Sequence, residues 1–232
     1  MSTIFVNAMD DGYGGTFYQP TAAGFTAIIL LLIAVLLAAS VISSRLRGGS
    51  RPVDVRQLAF SAMAIALAML TSMIKLFSLP MGGNVTLLSM LFVTLIGSWY
   101  GLSGGIACGI AYGLLQLFID PYIISVPQLL CDYILAFGAL GLSGLFARKQ
   151  NGCRQGYLLG IFGRFVFSVL SGVIFFAAYA PESGPFSNPL LYSAAYNGAY
   201  IAAEGVITLI VLSLPPVANA IEAVRKMAVR EN

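Results

Sequence analysis

Seven predominantly apolar stretches dominate this sequence, and each is near the roughly 20 residues that a helix needs to cross the hydrocarbon of a bilayer. They lie at about 23–43, 57–77, 84–100, 102–119, 123–147, 157–178 and 191–214. Only 9% of the 232 residues are charged, whereas an ordinary soluble domain has roughly 25%. The sequence therefore predicts an all-α integral membrane protein with seven spans and no soluble domain.

The positions of Lys and Arg predict the orientation of these spans, because basic loops resist translocation and stay cytoplasmic. Basic clusters follow the first, fifth and seventh spans, at Arg45, Arg47, Arg51, Arg56, Arg148, Lys149, Arg154, Arg225, Lys226 and Arg230. The first 22 residues contain no Lys or Arg. We therefore expect the N-terminus outside and the C-terminus in the cytoplasm. The net charge of +3 reflects this topology. The sequence has no basic face of the kind that would indicate nucleic-acid binding.

A single charged residue, Asp132, interrupts the fifth predicted span. An ionised carboxylate in the bilayer core costs about 2.5 to 3.5 kcal/mol on insertion scales, so it normally faces a cavity, a partner or a ligand. Gln128, four residues earlier, would share its helix face, and Tyr133 adjoins it. Asp132 is therefore the first candidate for ligand binding.

Aromatic and amide residues of the last two spans are predicted to lie near the depth of Asp132. The last span begins outside with Tyr192 and Asn197, and the preceding span ends outside with Phe176 and Tyr179. A carboxylate, an amide and several aromatic rings suit a flat, cationic or nitrogen-rich small molecule. An aromatic belt at the membrane interface is the equally weighted alternative.

Three further ionisable residues fall in or near the spans. Lys75 lies toward the outer end of its span and Arg164 toward the inner part of its own, where long side chains can reach the interface. Glu204 lies deeper, in the last span. We rank an internal pairing of Glu204 with Arg164 or Lys75 ahead of a coupling role.

Small residues recur on two spans. Glycines occupy every fourth position of the fourth span, at Gly101, Gly105, Gly109 and Gly113. Such a ridge lets a neighbouring helix pack closely. The second span has an alanine-rich surface formed by Ala59, Ala62, Ala64, Ala66 and Ala68. Spacing alone slightly favours internal packing of that surface over docking of a partner.

The sequence offers little for chemistry. It contains no His, and we find no zinc-protease, nucleophile-elbow or phosphate-loop motif. Its three cysteines are scattered, which does not indicate a metal site. We expect neither an enzyme nor a bound metal or cofactor.

Four blocks in order, at 79–86, 127–137, 170–181 and 191–198, resemble the thiamine-specific substrate-binding component of energy-coupling factor vitamin transporters. This family is known as the ThiT type of S component, and the resemblance extends over residues 56–214. It implies a six-helix bundle, corresponding to spans two to seven, with a ligand pocket in the outer half. We therefore divide the chain into an extracellular segment with an extra transmembrane helix and basic linker, 1–50, and an S-component-like membrane domain, 51–232.

The resemblance also implies roles for individual residues. Asp132 and Tyr133 would bind the thiamine head, and Tyr192 and Asn197 would add hydrogen bonds. The pocket would be lined in addition by Phe176, Tyr122 and Gln128.

Three positions depart from the family pattern. Ser168 stands where a pocket His is common, and Phe176 and Gly83 stand where some members have Trp. Each lost contact between a cation and a large aromatic ring weakens binding by roughly 0.5 to 2 kcal/mol. A pyrimidine or thiazole precursor of thiamine is therefore an alternative ligand.

Partners are implied by the same resemblance. The protein would work in the bacterial cell membrane with a transmembrane coupling subunit and two cytoplasmic ATPases, capturing thiamine from outside for ATP-driven uptake. Ala62 and Ala66, or Ala59 in another register, would form the docking face of the second span. A proton-coupled carrier that uses Glu204 as a relay is the rival from another class.

Overall fold

The structure is a computed structural model that describes residues 4–10, 16–27, 30, 54–147, 149 and 152–229. Most of the first predicted span, 23–43, lies outside the described residues, so the count of seven spans stays a prediction. The division into 1–50 and 51–232 also stays a prediction.

In the part of the chain that the structure describes, seven helices have three turns or more. They are α1 Val55–Ser72, α2 Ser89–Tyr100, α3 Leu102–Ile119, α4 Val126–Phe146, α5 Gly152–Phe175, α6 Pro189–Ser213 and α7 Pro215–Val229. Five of them are long and apolar enough to cross a membrane, and α2 is a shorter apolar helix. The predicted all-α membrane class is confirmed. Helix α7 was not predicted, because Glu222, Arg225 and Lys226 interrupt its apolar residues and the segment does not resemble a membrane span.

Two antiparallel pairs of short strands accompany the helices in the described ranges. Strand β1, Val6–Asp10, pairs with β2, Thr16–Pro20. Strand β3, Lys75–Ser78, pairs with β4, Asn84–Thr86.

The hairpin of β3 and β4 corrects two predicted boundaries. The second span was expected to continue to residue 77 and the third to begin at 84, but α1 ends at Ser72 and α2 begins at Ser89. Between the two strands, a 3₁₀ turn contains Pro80, and Gly82 adopts a φ of 90°. Apolarity over this stretch could not distinguish helix from strand.

Helix α4 is irregular along its length. An α-helical turn, Val126–Leu129, passes into a π-helical segment, Leu130–Leu135, then into Ala136–Gly138 and a 3₁₀ segment, Ala139–Phe146. Single π-helical turns are uncommon and often occur at functional sites. Asp132 lies within this π-helical segment.

The predicted glycine ridge of α3 packs directly against the backbone of α4. A Cβ on Gly109 would clash with the Phe137 carbonyl oxygen, and one on Gly113 would clash with the Tyr133 carbonyl oxygen. Gly105 meets α4 in the same way at Gly141. Close packing is thus confirmed at three of the four glycines, and it fixes α4 beside the site described below.

The fourth glycine of the ridge has a different role. Gly101 has a φ of 85°, which L side chains rarely adopt, and a Cβ added there would meet no atom within 4 Å. It separates α2 from α3 at their shared end.

Candidate functional site

A cavity of about 170 Å³, the outer cavity, lies at the end of the bundle predicted to face outward. Helices α3 to α6, the β3–β4 hairpin and the segment after α3 all contribute to its wall. The nine residues predicted to bind ligand all line it: Gly83, Tyr122, Gln128, Asp132, Tyr133, Ser168, Phe176, Tyr192 and Asn197. The structure therefore brings together every predicted binding position, while their role in binding stays a prediction.

Asp132 is oriented by Gln128, one turn earlier on α4. The Gln128 amide nitrogen donates to Asp132 Oδ2 at 2.6 Å and to the Tyr122 carbonyl at 3.2 Å, and its oxygen accepts from Ile124 N at 3.0 Å. Gln128 is 1% exposed and its amide is fully used. Among the described residues, no basic side chain forms an ion pair with Asp132. Arg164 interacts with this carboxylate electrostatically, but Asp132 is held at the cavity wall without a salt bridge to the described residues.

Two predicted hydrogen-bonding residues are already engaged by the protein. The Tyr133 hydroxyl donates to the Asp120 carbonyl and accepts from Tyr122 N, both at 2.9 Å. The Asn197 amide donates to the Ser168 carbonyl at 3.2 Å and accepts from the Tyr200 hydroxyl at 2.8 Å. These two side chains shape the wall, and their capacity to bond a ligand is smaller than the sequence indicated.

Aromatic rings form two faces of the outer cavity. Tyr122 and Phe176 stack with centroids 6.0 Å apart. On α6, Tyr192, Tyr196 and Tyr200 follow one another at 6.3 and 5.9 Å. These faces can hold a flat ring by stacking.

The β3–β4 turn is tied to α6 at one end of the cavity. Gly83 N donates to the Tyr196 hydroxyl at 2.9 Å, and that hydroxyl donates to the Pro80 carbonyl. A Cβ on Gly83 would lie 2.7 Å from the Tyr196 oxygen. Tyr196 thus occupies the space that a larger residue at position 83 would need.

Arg164 and Ser171 are among the lining residues that the sequence reasoning missed. Arg164 was expected to reach toward the membrane interface, but it lines the outer cavity with its guanidinium 4.3 Å above the Phe137 ring. Arg164 Nε and the hydroxyl of Ser171, which is 1% exposed, have no hydrogen-bond partner among the described residues. Residue spacing could have indicated the position of Arg164, since it lies one turn before Ser168 on the same face of α5.

Lys75 and Asp120 form an ion pair at the rim of the cavity. Lys75 Nζ lies 2.6 Å from Asp120 Oδ2, which also accepts from Asn84 Nδ2 at 3.0 Å. Both side chains of the pair are partly exposed. Lys75 therefore has an acidic partner in the protein rather than a position at the lipid interface.

Glu204 forms no ion pair with Arg164, Lys75 or any other described residue, so the predicted internal pairing was wrong. It is 2% exposed and accepts from Thr86 N at 3.2 Å, Thr86 Oγ1 at 2.6 Å, Ser89 Oγ at 3.1 Å and Met90 N at 3.0 Å. A carboxylate at the start of α2 also interacts favourably with the helix dipole. Glu204 fastens α6 to α2 and is absent from the lining of the outer cavity.

Comparison with known proteins identifies the family. The model of the thiamine transporter protein family (Thia_YuaJ) matches residues 58–223. The chain belongs to this family. Its matched region runs from α1 into α7 and includes every lining residue of the outer cavity.

Relatives of this thiamine transporter family member support the assignment. The thiamine transporter ThiT of Bacillus subtilis (strain 168) is 33% identical over 175 residues, which cover 69% of this chain and 89% of that protein. ThiT of Lacticaseibacillus paracasei is 28% identical over 131 residues, covering 49% and 64%. A solved structure of ThiT from Listeria monocytogenes superposes with a TM-score of 0.56 at 26% identity and covers 69% and 94%. The chain is thus a multi-pass bacterial membrane transport protein, and its family is not enzymatic.

Residues before the family match contact the wall of the cavity. Tyr18 N donates to the Ile123 carbonyl at 2.5 Å in an isolated antiparallel bridge. Phe25 stacks on Phe118 with centroids 5.5 Å apart. These contacts support the segment after α3, which contributes Asp120 and Tyr122 to the lining.

The alanine-rich surface of α1 divides into two faces in this thiamine transporter family member. Ala64 and Ala68 are buried at 7% and 0% exposure, whereas Ala59, Ala62 and Ala66 are exposed. Only 17% of the α1 residues are buried, compared with 50% in α3 and α4. Internal packing and an open face therefore coexist on one helix.

Proposed function

We propose that this protein captures thiamine from outside the cell in the outer cavity and hands it to an energy-coupling factor transporter as its substrate-binding subunit. Membership of the thiamine transporter family supports thiamine as the ligand. The observation that carries the proposal is Asp132, an acid at the wall of a membrane cavity that forms no salt bridge with the described residues. Its charge matches the permanent positive charge of the thiazolium ring.

Each part of thiamine finds a chemical counterpart in the outer cavity. Asp132 would neutralise the thiazolium charge, and the stacked pair Tyr122 and Phe176 would contact a flat ring. The nitrogens of the aminopyrimidine would accept hydrogen bonds from Arg164 Nε and the Ser171 hydroxyl, which lack protein partners among the described residues. The binding would be noncovalent, with the ligand completing hydrogen bonds that the protein leaves unmade.

A calorimetric titration of the purified full chain with thiamine tests the ligand assignment. Asp132→Asn should weaken binding about tenfold or more, since a hydrogen bond to a charged group contributes about 1.5 to 3 kcal/mol. The matched control is Asp120→Asn, which removes an acid from the same cavity whose charge Lys75 already balances. Equal losses in the two variants would remove Asp132 from its assigned role.

The departures at Ser168 and Phe176 keep a precursor of thiamine as the second candidate ligand. Because the cavity contains an acid for the thiazolium and unpaired donors for the pyrimidine, whole thiamine should bind more tightly than either half. Titration with the pyrimidine and thiazole halves separately compares them. A half that binds as tightly as thiamine would make that precursor the substrate.

The exposed face of α1 would dock the coupling subunit. Ala62 and Ala66 lie one turn apart among exposed apolar neighbours, including Met63 at 50% and Leu67 at 45% exposure. Small residues of this kind let a partner helix approach closely in a membrane. Two cytoplasmic ATPases bound to that partner would supply the energy.

Transport in liposomes tests the coupling. Ala62→Trp or Ala66→Trp should abolish uptake by the chain reconstituted with coupling subunit and ATPases, while thiamine binding stays unchanged. Ala202→Trp, at an exposed alanine of α6, is the matched control and should retain uptake. Uptake by the chain alone under a pH gradient would instead establish a proton-coupled carrier.

A further inference from the structure

A second cavity of about 400 Å³, the inner cavity, lies at the opposite end of α2. It is enclosed by the ends of α2, α4 and α6, the start of α5, and α7. Ser89 of the outer cavity and Trp99 of the inner one lie ten residues apart on α2, which is about 15 Å of helix. By the predicted orientation, the inner cavity is on the cytoplasmic side.

The charged side chains that line the inner cavity are mainly cationic. Lys149, Arg154 and Arg225 contribute three cations, and Glu222 contributes the single carboxylate. The first residues of the 24-residue helix α5, Gly152 and Cys153, also line it. A helix N-terminus adds partial positive charge there. The electrostatic balance of the lining therefore favours an anion.

The negative charge of Glu222 is balanced by Arg225, so Glu222 does not repel an incoming anion. Arg225 donates to both of its oxygens, Nε at 2.8 Å and a terminal nitrogen at 3.0 Å. This hydrogen bonding lowers the pKa of Glu222 below its ordinary value, although Glu222 is largely exposed. The remaining cations, Lys149 and Arg154, form no ion pair with the described residues.

Two neutral donors in the same cavity lack partners. The Ser98 side chain is 6% exposed, and its hydroxyl forms no hydrogen bond with the described residues. The indole nitrogen of Trp99 is also buried without a partner in the part of the chain that the structure describes. An unmade hydrogen bond of a buried donor costs about 1 to 3 kcal/mol, and a bound acceptor would remove that cost.

We propose that the inner cavity binds a phosphate group, recognised by Arg154, Lys149, the Ser98 hydroxyl and the Trp99 indole. Guanidinium and ammonium groups together with neutral donors suit the several oxygens of a phosphate. The volume far exceeds that of one water, about 30 Å³, so the rest of a larger molecule can enter. The phosphate belongs either to a phospholipid headgroup of the inner leaflet or to a soluble cytoplasmic phosphate ester. This site is independent of the proposed thiamine site.

The chain contains a single Trp, Trp99, so its fluorescence reports directly on the inner cavity. The full chain in a maltoside detergent would be titrated with glycerol 3-phosphate and with short-chain phosphatidylglycerol. Sodium chloride at matched ionic strength is the control titration. A saturable change in Trp99 emission with either phosphate compound is expected. A change that sodium chloride reproduces, or no change with either compound, would overturn the proposal.

Variants locate the response. Arg154→Gln should raise the midpoint about tenfold, and Lys226→Gln, which removes a cation of α7 that does not line the cavity, should leave it unchanged. Because Arg154 also donates to the Leu212 carbonyl at 3.0 Å, Ser98→Ala provides a second test that removes no hydrogen bond among the described residues. It should raise the midpoint severalfold at unchanged thermal stability. Equal effects of Lys226→Gln and Arg154→Gln, or an unchanged midpoint in Ser98→Ala, would contradict the site.

The two probes separate the sources of the phosphate. Phosphatidylglycerol binding at least ten times more tightly than glycerol 3-phosphate would assign the cavity to a lipid headgroup. Comparable midpoints would assign it to a soluble ester, since the acyl chains then add nothing.

Discussion

The regions around Glu204 and Asp132 each contain one carboxylate inside a membrane helix, but they differ in how the protein satisfies it. Glu204 accepts four hydrogen bonds and lies outside the cavity lining. Asp132 accepts one, from Gln128, and lies at the wall of the outer cavity. Burial of an acid in a membrane protein therefore does not by itself indicate a ligand. The number of hydrogen bonds that the protein itself donates to the carboxylate distinguishes a structural acid from a ligand-binding acid.

The largest expected effect is on folding, at Glu204. Glu204→Ala would leave the backbone nitrogens of Thr86 and Met90 buried without an acceptor, at about 1 to 3 kcal/mol each. We expect a loss of at least about 3 kcal/mol in the free energy of unfolding, seen as a lower melting temperature of the detergent-solubilised protein. Asp132→Asn is the comparison and should melt close to the unchanged protein. If Asp132→Asn were the more destabilising of the two, the distinction between the regions would fail.

The next effect links helix packing to the Asp132 region. Gly113→Ala places a Cβ against the Tyr133 carbonyl of α4, and such overpacking typically costs about 1 to 3 kcal/mol. Because the clash lies next to Asp132, thiamine affinity should fall together with stability. Gly198→Ala is the matched control, since its Cβ would meet only the Phe165 ring at 3.6 Å. Melting and titration of both variants check this, and a Gly113→Ala protein with full affinity would show that α3 does not position the acid.

A smaller effect is expected from Phe176, which stacks on Tyr122 in the same cavity as Asp132. Phe176→Leu removes an aromatic face while retaining an apolar side chain, and a cation–π contact contributes about 0.5 to 2 kcal/mol. Thiamine affinity should fall severalfold by calorimetry. Phe176→Trp, which restores the larger ring of some family members, should bind at least as tightly as the unchanged protein. The opposite order of the two variants would exclude cation stacking at this position.

Much of the site could be predicted from the sequence, because membrane spans restrict where polar residues are tolerated. Asp132, Gln128 and the rings of the last two spans followed from depth and spacing, and the family resemblance added Ser168 and Gly83. Arg164 was misplaced because a long basic side chain near a span end can reach either the interface or the interior. The packing between helices determines which of the two positions the side chain takes, and residue spacing alone does not reveal that packing.

Other parts of the fold depend on contacts that no local pattern encodes. The apolar residues after α1 were predicted to continue the helix, but they form the β3–β4 hairpin that carries Thr86 to Glu204. The π-helical segment around Asp132 packs against α3, where Gly113 meets the Tyr133 carbonyl, and this is a tertiary contact. The hydrogen bonds of Tyr133 and Asn197 to their neighbours likewise required the assembled bundle.

The central claim, that Asp132 recognises the positive charge of the vitamin, is tested most directly by a cycle of two proteins and two ligands. Calorimetry would compare the unchanged protein and Asp132→Asn, each with thiamine and with an uncharged analogue in which a thiophene ring replaces the thiazolium. We predict that the unchanged protein prefers thiamine by about tenfold or more and that Asp132→Asn loses this preference. An equal preference for thiamine in both proteins would contradict the account.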